Sequence, residues 1–242
     1  SNAGSVSFDR SVYPVPFVAG DIEDGAGVDI SSIAGAVTLT VTVSDADITD
    51  DTLTTGSTTG TISVKLIEAG SAGQECFTAG GTAASAFSGD VVEELGPLSE
   101  IVRDTSEFEV EFTLDKAQDC GASDITVSSG DVIQVAYTDA SDDTGSSTTV
   151  YDSATFDLRT GSLSLDKDVY VLGSDMVVTL TDADLNLDAT STETYSMGML
   201  EWDSDASSSI LVSDSTFTSN PSSLTETGSD TGVFQTVVTL PE

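Results

Sequence analysis

Three blocks of sequence occur twice in this chain, in the same order. VSFDRSVY (6–13) returns as LSLDKDVY (163–170), DADITDD (45–51) as DADLNLD (182–188), and LSEIVRDTSEFEVEFTL (98–114) as LTETGSDTGVFQTVVTL (224–240). One folding unit is therefore written twice, and any fold that suits the first copy must also suit the second. The offset between matching blocks shrinks along the chain, which places insertions in copy one before and after its DAD block. Those insertions hold most of the Gly-rich loops and Cys76. Copy one also continues through SSGDVIQVAYTDASDDTGSSTTVYDSATFD (128–157), a stretch that copy two, which stops at Glu242, does not match. The expected organisation is two domains, residues 4–158 and 162–242, with a boundary near FDLRTGSL (156–163) and the second domain cut short at its C-terminal end. Residues 1–3, SNA, read as the scar of a cleaved expression tag.

Within the copies the hydrophobic period is two. AVTLTVTVSD (36–45) sets Val37, Leu39, Val41 and Val43 against Thr38, Thr40 and Thr42, the pattern of a half-buried strand. TISVKLIEAG (61–70), FEVEFTLD (108–115), DVIQVAYTDA (131–140), DMVVTLTDAD (175–184) and GVFQTVVTLPE (232–242) behave alike, and each run ends in Gly, Asp, Ser or Pro. No segment carries a 3.6-residue period, and GDVVEELG (89–96) amounts to one helical turn at most. The expected class is all-β, with strand spacing that points to a sandwich.

Charge narrows the functional classes. The chain has 42 acidic and 6 basic residues and no histidine, for a net charge of −36. So few cations cannot form the basic patch that nucleic acid or an anionic membrane surface requires. Self-repulsion on this scale needs screening or bridging cations, which a saline extracellular medium supplies better than cytosol. Disorder is excluded by the patterned apolar residues, 38% of the chain. No run approaches the ~20 apolar residues of a membrane helix, so direct membrane insertion is not expected. Cys76 in GQECFTAGG and Cys120 in KAQDCGASD sit in polar, Gly/Ala-rich surroundings and are expected to be paired loop cysteines. Their disulfide would close a loop of about 45 residues, worth on the order of 3–4 kcal/mol.

The repeated acids pose the functional question. Asp182, Asp184, Asn186 and Asp188 stand at positions 1, 3, 5 and 7 of their block, as Asp45, Asp47, Thr49 and Asp51 do of theirs. Alternation by two puts their side-chain oxygens on one side of a strand end or curling loop. Ca²⁺ takes six to eight oxygens in flexible geometry, and each set offers three or four. An EF-hand is excluded, since Leu187 and Asp50 replace the required glycine and no flanking helices are visible. Further oxygens recur in register, Glu100 and Asp104 with Glu226 and Asp230, while Asp139, Asp142 and Asp143 follow a strand of copy one. The competing explanation is that aspartate after a strand makes turns by bonding nearby backbone amides. Tyr13 with Tyr170, and Phe108 with Phe234, read as core or corner aromatics. Arg10 and Lys167 are expected to pair with neighbouring acids. Lys65 is either a buried charge partner or part of a solvated strand face.

Without histidine there is no Ser-His-Asp triad and no imidazole acid–base chemistry. No GxxxxGK[ST] phosphate loop is present. A two-carboxylate glycosidase would need aromatic platforms for sugar rings, and Trp202 is the sole tryptophan. The chain is expected not to be an enzyme.

LSLDKDVY, VTLTDADLN and LTETGSDTGVFQTVVTL resemble the repeated units of surface-layer proteins from ammonia-oxidising archaea, and SGDVIQVAYTDA resembles the strand that closes such units. The resemblance covers nearly the whole chain apart from the copy-one insertions. It implies tandem immunoglobulin-like β-sandwich domains in a long chain that self-assembles into a porous lattice on the cell. It also implies bound divalent cations, Ca²⁺ first among them, and contacts with further copies and neighbouring domains of the same chain. A strongly negative lattice would also concentrate cations, ammonium included, near the membrane. The alternative is a Ca²⁺-dependent extracellular adhesin, which an exposed aromatic or apolar patch would favour. A third possibility is acidity that serves halophilic solvation alone.

Overall fold

The computed structural model describes residues 2–22, 35–204, 207–214, 216–217 and 223–242. They form two compact units: Ser1–Val15 with Val37–Asp157, and Pro16–Ala36 with Leu158–Glu242. The segment Pro16–Ala36, which the repeat alone leaves within residues 4–158, thus groups with unit 2.

Unit 1 holds β1 (Ser5–Phe8), β2 (Val12–Pro14), β3 (Val37–Ser44), β4 (Thr52–Leu53), β5 (Ile62–Ile67), β6 (Gln74–Ala79) and β7 (Glu93–Glu94). It continues with β8 (Leu98–Glu100), β9 (Glu107–Leu114), β10 (Ala117–Cys120), β11 (Ser123–Thr126), β12 (Val132–Asp139) and β13 (Thr148–Asp157). Two sheets dominate, in the orders β1-β3-β9-β8-β4 and β2-β13-β12-β5-β6-β7, with β10-β11 as a separate hairpin. All pairings are antiparallel except β2 with β13 and β6 with β7. Val37, Leu39, Val41 and Val43 of β3 are completely buried while the intervening threonines keep partial access to solvent, as the period-two pattern requires. The buried face meets that of the second sheet, where Val64, Leu66, Ile133 and Val135 are equally sealed. Phe77 of β6 and Phe112 of β9 close the gap with ring centroids 4.8 Å apart. Lys65 points to solvent.

Unit 2 holds β14 (Ser162–Leu165), β15 (Asp175–Thr181), β16 (Thr194–Ser196), β17 (Glu201–Ser204), β18 (Ser207–Leu211), β19 (Ser223–Glu226) and β20 (Val233–Thr239). Its main sheet runs β14-β15-β20-β19-β16. This is the order β1-β3-β9-β8-β4 of unit 1, each strand drawn from the corresponding stretch of its copy. The repeat in sequence is therefore a repeat in topology. Met176, Val178, Tyr195, Leu224, Phe234 and Val238 make the unit 2 core, with Phe17 and Ile22 packed against it. Phe17 pairs with Gly35, where a Cβ would come within 2.1 Å of the end of the Leu187 side chain, so a larger residue would have to displace that leucine.

Cys76 and Cys120 are disulfide-bonded, with Cα atoms 4.0 Å apart. They lie in β6 and β10 and are completely buried, not in exposed loops as their polar neighbours suggested. GDVVEELG contributes no helical turn; its Glu93–Glu94 forms β7 beside Phe77 and Thr78. The buried anchoring of Glu94 described below holds this stretch extended.

Candidate functional site

The DAD block builds the same corner in both units. Asp45 Oδ1 accepts the Asp47 amide at 2.9 Å, and Asp182 Oδ1 accepts the Asp184 amide at 2.9 Å. The chain then turns, with the Ile48 amide donating to the Asp45 carbonyl at 3.1 Å and the Leu185 amide to the Asp182 carbonyl at 3.4 Å. In unit 2 this turn is a short 3-10 helix, Ala183–Leu185, capped by Asp182. An aspartate bonding the amide two residues on is an Asx turn, which accounts for Asp45 and Asp182 whatever side chain stands at the second position.

Each corner is tied to the third block. The Asp45 amide donates to the Ser106 carbonyl at 3.0 Å, and the Asp182 amide to the Gly232 carbonyl at 2.8 Å. Ser106 and Gly232 share a left-handed backbone, φ 56° and 59°. Glycine adopts it freely, whereas a serine there must be held. Glu100 does so: one oxygen accepts the Ser106 amide at 2.8 Å and the other the Asp104 amide at 3.0 Å. Glu226 likewise accepts the Thr231 and Gly232 amides, both at 2.8 Å. The recurring glutamates clasp the turn that leads into β9 and β20. The Ser106 amide is the main cause holding Glu100 below the usual carboxylate range.

In unit 1 the corner opens onto a cleft of about 550 Å³ lined by Asp45, Asp47, Asp50, Tyr137 and Asp139, with Thr49 at its side. Asp45 and Asp139 are nearly inaccessible to solvent. Asp45 Oδ2 accepts the Tyr137 hydroxyl at 2.6 Å, and Asp139 accepts the amides of Gly4 at 2.9 Å and Ser141 at 2.8 Å. Burial, then the bond to Asp45, pushes the Tyr137 phenol above its ordinary value. A Cβ at Gly4 would stand 2.8 Å from the Tyr137 ring, so this close approach needs glycine.

The remaining predicted residues divide among separate turns. Asp142 accepts the Thr144 and Ser146 amides and the Thr144 hydroxyl, which lowers its carboxyl, and Asp143 beside it is exposed. The exposed Asp51 contributes its backbone carbonyl to the Glu100 amide. Asp104 stands 3.9 Å from Arg103 on the surface. In unit 2 Asp184 accepts the Arg159 amide at 2.9 Å, Asn186 donates to Asp230 at 2.9 Å, and Asp188 accepts from Thr190 and Ser191. Burial raises Asp182 against the lowering effect of the Asp184 amide. The structure thus gathers Asp45, Asp47 and Asp139 along one cleft and Asn186 with Asp230, and distributes the others. Among the described residues no group of three His, Cys, Asp or Glu is placed to hold a metal ion.

Two carboxylates outside the predicted set are more embedded than most within it. Glu94 is buried and accepts the Thr78 hydroxyl at 2.6 Å and the amides of Gly81, Gly96 and Gly60 at 2.9, 3.0 and 3.1 Å. A Cβ at Gly81 would lie 2.8 Å from its carboxyl carbon. The donors Gly60, Gly81 and Gly96 come from separate loops, so no single stretch of sequence signals this site. Glu193 faces Glu226: burial first, then the neighbouring carboxyl, raises Glu193 to about 7. Burial opposes ionisation of Glu226 too, but bonds from the Glu193 carboxyl and the Gly232 and Thr231 amides outweigh it and hold Glu226 low. The pair therefore keeps one proton, on Glu193, below about pH 7 and gives it up above.

No protein-family model and no curated protein matches the chain.

Proposed function

We propose that this chain is a structural segment of a self-assembling, extracellular surface layer of the archaeal type, built of tandem immunoglobulin-like sandwiches. The observation that carries it is the identical strand order of the two main sheets, each with the same aspartate corner and glutamate clasp. A domain written repeatedly with its connections fixed by side-chain bonds suits a load-bearing array and needs no catalytic machinery. The disulfide suits an oxidising exterior. The net charge of −36 calls for cations, and Ca²⁺ is the proposed counter-ion. The described carboxylates form no three-acid cage, so the cations are held by the exposed acidic surface as a whole.

A thermal melt in excess chelator, then in millimolar Ca²⁺, against Na⁺ of matched ionic strength tests the ionic part. A Ca²⁺-specific rise in midpoint supports bound divalent ions. If Na⁺ reproduces the rise, the acids act by screened charge alone and the Ca²⁺ assignment falls. Ordered sheets of the purified chain under electron microscopy, formed with Ca²⁺ and dispersed by chelator, would support the lattice. A chain that stays monomeric at every concentration and salt tried would count against it.

A further inference from the structure

The repeat makes each unit a control for the other, and one face differs. In unit 1 Val6 and Phe8 of β1 are each 8% exposed and Tyr13 of β2 is 0% exposed. Their counterparts Leu163 and Leu165 of β14 are 56% and 49% exposed, and Val169, Val171 and Leu172 around Tyr170 are 82%, 76% and 73% exposed. What covers this face in unit 1 is the β12-β13 hairpin. β13 pairs with β2 in parallel, Phe156 opposite Tyr13, and the two rings lie 6.1 Å apart. The Asp152 carboxylate accepts the Phe8 amide at 2.8 Å, and Ile133, Val135, Ala154 and Phe156 point inward and are buried. β12 in turn docks on β5. In unit 2 β17 holds the place of β5 in chain order and, among the described residues, pairs with β18 alone.

We propose that this open face of unit 2 is a docking site for an antiparallel β-hairpin of β12-β13 chemistry, supplied by a polypeptide segment outside the two units. One strand of the guest runs parallel beside Val169–Val171 and sets an aromatic ring on Tyr170; the other pairs with the edge of β17 that, among the described residues, has no strand beside it. Its inner face alternates apolar residues, and the exposed apolar side chains of unit 2 supply the driving force. A second copy of the chain is the poorer guest. Its own β12 is paired on both edges, with β5 and β13, and two bodies of charge −36 repel.

The experiment appends a copy of residues 127–157 to the full chain after Glu242 through a flexible Gly/Ser linker. The readouts are hydrogen exchange over residues 163–172 and binding of a hydrophobic dye. The expected result is at least tenfold slower exchange over 163–172 and loss of dye binding. A matched fusion whose appended segment carries aspartate in place of both isoleucine and valine at its 133 and 135 positions should protect nothing. Equal protection by the two fusions, or none by either, overturns the proposal. Protection of 163–172 in the unextended chain, rising with concentration as a dimer forms, overturns it in favour of a second copy.

Discussion

In unit 1 Tyr13 is sealed beneath Phe156; in unit 2 Tyr170 makes the same local bonds and stays half exposed. Tyr13 donates to Asp9 and receives the Arg10 amide at 3.4 Å, while Tyr170 donates to Asp166 at 2.6 Å and receives the Lys167 amide at 2.9 Å. The cation beside each tyrosine also lies over its ring, 6.0 Å away in unit 1 and 5.4 Å in unit 2. The motif D-[RK]-x-x-Y therefore closes its corner from sequence-local bonds, without the burial that surrounds it in one copy. The comparison separates what a repeat encodes in itself from what its neighbours add.

The shared framework should respond equally. Phe108 and Phe234 are both fully buried at matching positions, opposite Val43 and Leu180. Phe108→Ala and Phe234→Ala should each destabilise their own unit by about 3–5 kcal/mol. Hydrogen exchange followed separately over each unit in denaturant checks this, and markedly unequal losses would break the equivalence. Next comes a difference confined to unit 1. Replacing Cys76 and Cys120 together by serine should cost that unit about 3–4 kcal/mol and leave the exchange of unit 2 unchanged.

Tyr13→Phe should cost unit 1 about 1 kcal/mol, since it removes a bond from a buried ring. Tyr170→Phe, with solvent at hand, should leave unit 2 within experimental error. A Tyr170 effect as large as that of Tyr13 would mean that the open face of unit 2 is covered in solution. A further contrast is in pH. Glu193 titrates near 7 in the folded unit, against an ordinary 4.5, because it is buried beside Glu226. Between those values the native unit keeps a proton that the unfolded chain has released. Its contribution is thus full below about pH 4.5 and lost as pH rises through 7. The midpoint of unit 2 should fall from pH 5 to 8, and Glu193→Gln should flatten that slope.

The strand pattern was legible because burial on one face leaves a period of two: β3, β5, β12, β15 and β20 fall inside the runs picked out by alternation, and β9 starts one residue ahead of its run. The disulfide was legible from there being two cysteines, although their burial was not, because strands 44 residues apart supply the cover. The acids were legible as a repeat and ambiguous as chemistry. Asp182 and Asp184 stand at a spacing that fits a cation ligand and an Asx turn equally, and the direction of the Asp184 amide separates the two. The clasp made by Glu226 was not legible, because its partners, the Thr231 and Gly232 amides, belong to the backbone and leave no mark on composition. Glu94 was missed for the same reason, its three amide donors being glycines spread over separate loops.

The parallel pairing of β2 with β13 has a mechanical side. Val12–Pro14 lies near the start of unit 1 and Thr155–Asp157 at its end, and the two stretches run the same way. Tension along the chain pulls β2 backward and β13 forward, so the pair is sheared rather than peeled. Contacts that must slip together yield at a higher force than contacts undone one at a time. Residues 168–172 of unit 2 form no such strand. Drawn taut, the chain should give way first in its second repeat, and a hairpin docked there should raise the force at which it yields.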